Sequence, residues 1–285
     1  MVNSIKNDYL EISVKSFGAT LTSVKSQKSG YEFLWQGNPE IWNGQSPVLF
    51  PVIGGLLENK CVIDGREYEI IRHGIARHRE FELYSQSENE LVFVQREDEE
   101  TLKSYPFKYE LYMSFKLDGN SLTVTHTVKN TNKKAMSFGL GAHPAFNCET
   151  GDKLVFENKE TAYCERIGTD SLLNGEKDLI LNNSDTITLE KHTFDKDVMI
   201  FSSLSSKYVT LKKEKLGKEI KFSFYDAPFF SVWAKPNATF VCLEPWCGIN
   251  DSHEKADSFF EKRANITLDT GNSFSFCWKA EFSEK

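Results

Sequence analysis

Basic charge is in deficit in this chain, which carries 34 Lys and Arg against 41 Asp and Glu for a formal charge of −7 over 285 residues. The acids are spread along the sequence, so there is no electrostatic footprint for nucleic acid or an anionic membrane surface. Long apolar runs are also missing. None approaches the roughly 18 residues of a membrane span, and residues 1–8 lack the apolar stretch of a signal peptide, so a cytoplasmic location is expected. The six cysteines (Cys61, Cys148, Cys164, Cys242, Cys247 and Cys277) never form a Cys-x-x-Cys pair, which suits free reduced thiols. Zinc needs clustered ligands at short spacing, and Cys242 with Cys247 has no histidine nearby in sequence, so neither a metal nor any other cofactor is expected. No linker, repeat or low-complexity tract divides the chain, and residues 1–285 read as one domain.

Aromatic residues are what the chain has in quantity. Twenty-two Phe, ten Tyr and five Trp against four Met favour broad sheet faces over helical bundles. Strand signals open the sequence at 9–14, 19–25 and 31–35, separated by Gly18 and Ser29-Gly30. Residues 47–55 are apolar but hold two prolines and two glycines, so they cannot form a regular central strand. Asp64-Gly65 marks a hairpin turn. The acidic run 97–100 reads as a solvated loop. Strict alternation at 109–117 and 122–128 predicts strands with one buried and one wet face, and His126 falls on the buried face as a core histidine. Short strands follow at 153–156, 162–166, 179–181, 186–189, 198–202, 208–212 and 220–225, then a turn at Asp226-Ala227-Pro228 leads to 229–235. In the closing strand Phe274, Phe276, Trp278, Ala280 and Phe282 share a face. About eighteen strands at spacings of about 8 to 12 residues imply an all-β fold, a large antiparallel β-sandwich.

Two apolar segments each deliver one titratable group ahead of a proline. Ser137-Phe138-Gly139-Leu140-Gly141-Ala142-His143-Pro144 places His143 at a strand's end, because proline favours extended backbone before it and cannot donate to a ladder. Histidine gives and takes protons near neutrality, so His143 is a candidate acid or base. Phe240-Val241-Cys242-Leu243-Glu244-Pro245-Trp246 is apolar on both alternating faces, as in a central strand, and Glu244 is expected where that strand ends. A carboxylate leaving a core must find partners or accept a raised pKa. A third segment, Arg72-His73-Gly74-Ile75-Ala76-Arg77-His78-Arg79, has the residues of a polar ligand site, with Gly74 permitting close approach, or of a solvated basic loop.

The motifs His73-Gly74-Ile75-Ala76-Arg77, His143-Pro144-Ala145-Phe146 and Val241-Cys242-Leu243-Glu244-Pro245-Trp246, in that order, resemble the aldose 1-epimerase or galactose mutarotase-like family and its LacX-like branch. The resemblance covers nearly the whole chain and implies a β-supersandwich. It implies an isomerase that interconverts the anomers of a hexose, with His143 as general acid, Glu244 as general base, and the two groups on opposite sides of the C1–O5 bond. His73 and Arg77 would bind the sugar, Trp246 or Trp233 would stack on it, and no metal or cofactor would be needed. The implied partner is a small-molecule sugar, with no nucleic acid or membrane and no indication of oligomeric state.

One position departs from that pattern. After Phe50-Pro51 the family has Gly-Arg where this chain has Gly54-Gly55, and the lost guanidinium removes a bidentate partner for substrate. The alternatives are therefore a weakly catalytic sugar-binding protein and, from Arg72, Arg77 and Arg79, a hexose-phosphate epimerase. The negative net charge and the absent arginine favour neutral hexoses over their 6-phosphates. A glycosidase is disfavoured because it would pair two carboxylates.

Overall fold

The alternation at 109–128 becomes two ten-residue strands, Tyr109–Asp118 and Ser121–Asn130, paired antiparallel about a Gly119-Asn120 turn. Side chains at odd positions of the first are buried and those between them reach solvent, as a period of two requires. The structure is a computed structural model that describes residues 1–225, 227–254 and 256–284. The turn read at Asp226 thus falls partly outside the described residues.

These strands belong to a 15-stranded sheet. Its path starts at Val48–Leu49 and passes through Leu140–Ala142, Phe240–Cys247, Phe229–Trp233 and Met199–Phe201 to Lys153–Ile167. From there it runs through Tyr208–Lys213, Lys218–Ser223, Ser273–Glu284, Ser121–Asn130, Tyr109–Asp118 and Glu90–Arg96 to Glu82–Gln86. The ladders along the path are antiparallel. A twisted sheet this wide buries its apolar side by packing layer on layer, which makes a large antiparallel sandwich. The interlayer core holds Phe50, Tyr105, Tyr109, Phe138, Phe146, Phe222 and Trp278, all less than 2% exposed. Phe240–Cys247 is buried along its whole length, as expected of a central strand. A second apolar cluster, including Leu49, Ile53, Ile200, Phe229 and Trp246, lies beside the main one.

Three local expectations are corrected. Residues 31–35 form only isolated bridges, because the Glu32 carboxylate itself accepts from the backbone N–H groups of Val24 and Leu34. The segments 153–156 and 162–166 are one strand, Lys153–Ile167, and it pairs with Leu173–Thr188, which likewise joins 179–181 and most of 186–189. Their polar middles mimic turns in sequence, but register shifts carry the ladder through them. The acidic run opens a short α-helix, Glu99–Ser104, because Asp98 and Thr101 form a reciprocal capping box. No helix among the described residues is long and apolar enough to cross a membrane.

His126 is 1% exposed, as its position on the buried face predicts, and its ring stacks on Phe276 with centroids 4.6 Å apart. Its Nδ1 has no hydrogen-bond partner, and burial pushes its pKa down to about 3. The unfolded chain takes this proton near pH 6.5 and the folded chain only near 3. The stabilising contribution is therefore complete above 6.5 and is lost as the pH falls through that window, at up to about 1.4 kcal/mol per pH unit. Replacing His126 with Leu should flatten the acid dependence of stability by that slope. Denaturant unfolding at several pH values between 7 and 4 checks this, and an unchanged slope contradicts it.

Candidate active site

His143 and Glu244 meet because of strand register. Leu140–Ala142 pairs with the far end of Phe240–Cys247, Gly141 opposite Trp246, and Ala145–Asn147 pairs with its near end, Ala145 opposite Cys242. Both ladders keep the same register, which sets His143 directly across from Glu244. Pro144 breaks the intervening bonds on one side while its carbonyl still accepts from Leu243 N–H. His143 thus stands between two short strands, as expected. Glu244 does not stand at a strand end: Phe240–Cys247 continues through Pro245, because Trp246 and Cys247 remain paired with neighbouring strands. The carboxylate is 1% exposed, and its Oε2 lies 3.4 Å from His143 Nε2.

Burial governs the charge of this pair. It holds the Glu244 carboxyl well above the ordinary carboxylate range, opposed in part by the Arg72 charge and by the approaching Trp246 indole. It pushes His143 down to about 3, helped by Arg77 and Arg72. Burial thus favours the uncharged form of each group, with the proton that the pair shares sitting on Glu244.

The pair opens into a cavity of about 260 Å³, near the small end of ligand sites and sized for one sugar ring rather than a chain of them. Four of the eight buried side-chain polar atoms without a hydrogen-bond partner among the described residues belong to its lining: His143 Nδ1, Glu244 Oε2, Trp246 Nε1 and Asn250 Oδ1. Such atoms are costly to leave unmet, and their convergence marks a site for a ligand with many hydroxyls. Trp42 stacks on the His143 ring at 5.2 Å, and Trp233 meets its edge at 5.7 Å.

The six residues expected to form the sugar site all lie here: His73, Arg77, His143, Trp233, Glu244 and Trp246. His73 has left-handed backbone, φ 64°. Its N–H donates to Gly54 O, its Nδ1 accepts from Gly54 N–H, and its Nε2 faces the Arg72 Nε–H at 3.3 Å, while burial and the neighbouring cations hold its pKa well below the usual imidazole range. Trp246 packs in the second apolar cluster and brings its N–H edge to the carboxylate instead of a free face. The sequence did not single out Trp42, Asn250 or Lys235, and it left Arg72 undecided; all four line the cavity. The turn-rich 38–44 segment and the Gly248-Ile249-Asn250 turn after Cys247 were the available signals. Arg79 lies elsewhere, paired with Asp98.

A larger cavity, about 390 Å³, shares Asn250 with this one. Its charges are already matched: Arg263 forks onto Glu165, Arg166 meets Asp178, and Lys262 meets Asp251. Of the unmet atoms that mark the smaller cavity it has, among the described residues, only the shared Asn250 Oδ1. Tertiary packing also brings the Cys242 thiol to within 4.8 Å of ligand atoms on His143 and Glu244. Burial raises that thiol well above its usual pKa.

The aldose 1-epimerase family model matches residues 1–277. Protein LacX of Lactococcus lactis subsp. lactis, in both its plasmid and chromosomal forms, is 34% identical over 278 residues, 92% of this chain and 93% of the relative. The solved structure of a galactose mutarotase related enzyme from Lactobacillus acidophilus has a TM-score of 0.95 at 29% identity, covering 100% of this chain and 98% of its own. A galactose mutarotase-like protein from Lactobacillus casei gives 0.94 at 28% identity, covering 99% and 100%.

The close approach that Gly74 permits is to protein backbone. At φ 73° a Cβ there would lie 2.2 Å from the Phe50 carbonyl oxygen. Gly65, in the expected hairpin turn, has the same φ with nothing within 4 Å. Gly65→Ala should cost about 1 kcal/mol, the left-handed penalty alone. Gly74→Ala adds overpacking of about 1–3 kcal/mol. Paired denaturant titrations measure the gap, and equal losses would show that the 47–55 segment yields freely.

Proposed function

The chain belongs to the aldose 1-epimerase family, and on that premise we propose that it interconverts the α and β anomers of a hexose, with residues 1–285 as the one unit that carries the reaction. The observation that carries this reading is the facing pair His143 and Glu244, unmet and buried at the floor of a cavity of monosaccharide size. O1 and O5 of a pyranose are bonded to the same carbon. Two groups that serve them must stand side by side, and the 3.4 Å separation supports that in place of an arrangement on opposite sides of the bond.

The ring-opening step starts with the shared proton on His143 and Glu244 ionised: Glu244 takes the O1 proton, the O1–H pair becomes the second C1–O1 bond, and the C1–O5 pair leaves to O5, which takes a proton from His143. The proton that was on the imidazole is now on the sugar, and the one from the sugar is on Glu244. Both side chains are then uncharged, the arrangement that burial favours. Rotation about C1–C2 presents the other face of the carbonyl, and the reverse transfers close the ring. Protons and electrons balance without a redox partner. The Arg77 guanidinium is a donor placed for hydroxyls or the ring oxygen, the His73 ring lines the same wall, and Trp233 and Trp42 offer apolar faces.

The reading as a binding protein without turnover rested on Gly55. A Cβ at Gly55 would meet Ser171 O at 3.2 Å, so another segment occupies the place above it. Glu244→Gln and His143→Asn should each slow anomer exchange of a freshly dissolved α-hexose by about 10²- to 10⁴-fold, with folding intact. Exchange is followed by NMR, and more than half the wild-type rate in either variant removes that residue from the mechanism. Activity is expected to survive prolonged treatment with a chelator. Loss that a divalent ion restores would instead assign a metal to the reaction.

A further inference from the structure

The cavity is locally cationic in an acidic protein. Arg72, Arg77 and Lys235 line it, and Glu244 is its one carboxylate. Among the described residues neither guanidinium meets a carboxylate. Arg72 Nη1 donates to Ser171 Oγ at 2.9 Å and its Nε lies 3.3 Å from His73 Nε2. Arg77 Nε donates to His78 Nε2 at 3.1 Å, and its Nη2 donates to the Arg72 carbonyl at 3.2 Å. Arg79, Arg96, Arg166 and Arg263, by contrast, each hold a carboxylate. Two guanidiniums kept close together and unneutralised at the mouth of a cavity repel each other, and a bound anion relieves that repulsion.

The position of Arg72 is built rather than incidental. Ser171, with left-handed backbone at φ 66°, is pinned by Asn250 Nδ2 donating to its carbonyl at 2.7 Å. Its hydroxyl then grips Arg72. The same residue covers Gly55, where the family pattern has an arginine. A guanidinium from a different segment thus serves this side of the cavity, which removes the main ground for expecting neutral sugars. The overall charge of −7 does not restore it, because exposed charges beyond about 8 Å are screened at physiological salt.

We propose, resting on the epimerase reading, that the hexose taken by this site carries an anionic group, a phosphate or a carboxylate, bound jointly by Arg72 and Arg77 with Lys235 at the rim. Anomer exchange needs a free C1 hydroxyl, so the anion is on another carbon; sugar 1-phosphates and nucleotide sugars are excluded. A phosphate or carboxylate presents the paired oxygens that a guanidinium fork engages.

The test compares glucose, glucose 6-phosphate and glucuronate at equal concentration by exchange NMR, each corrected for its spontaneous rate. The proteins are wild type, Arg72→Gln, Arg72→Lys, Arg77→Gln and Arg79→Gln. Wild type should show kcat/KM at least about tenfold higher for an anionic sugar than for glucose. That ratio should fall by about tenfold in Arg72→Gln, mainly through KM, be partly kept in Arg72→Lys, and stay unchanged in Arg79→Gln. A preference for only one of the anionic sugars supports the proposal and identifies the group. Glucose turned over as well as either anion, or a preference that survives Arg72→Gln, overturns it. If no sugar exchanges above its spontaneous rate, the epimerase reading fails on its own, and calorimetry with glucose 6-phosphate decides the anion site. Binding that Arg72→Gln weakens about tenfold upholds the site, and binding no tighter than that of glucose refutes it.

Discussion

Everything proposed for this protein depends on one register. Two strand segments on either side of His143-Pro144 pair with a single central strand without slipping, so the imidazole and the Glu244 carboxylate face each other inside an apolar sheet. A slip of one residue would turn both side chains to the opposite face. Burial in that position is expensive for either charge, and the pair lowers the cost by holding one proton between two groups. In the proposed reaction that arrangement lets the site accept a proton and release one in the same step.

Around this fixed floor, the walls come from loops held by close backbone contact. Gly54 and Gly74 lie where any side chain would strike Asn250 or the Phe50 carbonyl. Between them, His73 adopts left-handed backbone and exchanges two hydrogen bonds with Gly54. Backbone in that region is costly for a residue with a side chain, and it persists because packing on both sides fixes it. The 168–173 loop completes the wall through Ser171, which joins Asn250 to Arg72. A chain sharing 29% of its residues with a Lactobacillus acidophilus relative keeps almost the same backbone. A sheet tolerates such divergence because its register and core volume survive apolar substitution, and the ligand preference proposed here is placed on a few wall residues such as Arg72.

Alternation along 109–117, 122–128 and the closing strand determined the class of fold by itself, because a period of two leaves a strand no other way to bury one face. Proline placement marked His143 and Glu244, since a titratable group set between an apolar run and a residue without an N–H is held where burial is costly, although the ladder is interrupted only beside His143. Only the tertiary structure decided what those residues do together. The His143 to Glu244 contact spans about a hundred residues of chain and follows from strand order, which no local pattern encodes. The same limit applies to Arg72, which from sequence was one cation in a basic run. Its reach into the cavity depends on Ser171, held in turn by Asn250, and such three-way contacts form only once the sheet has folded.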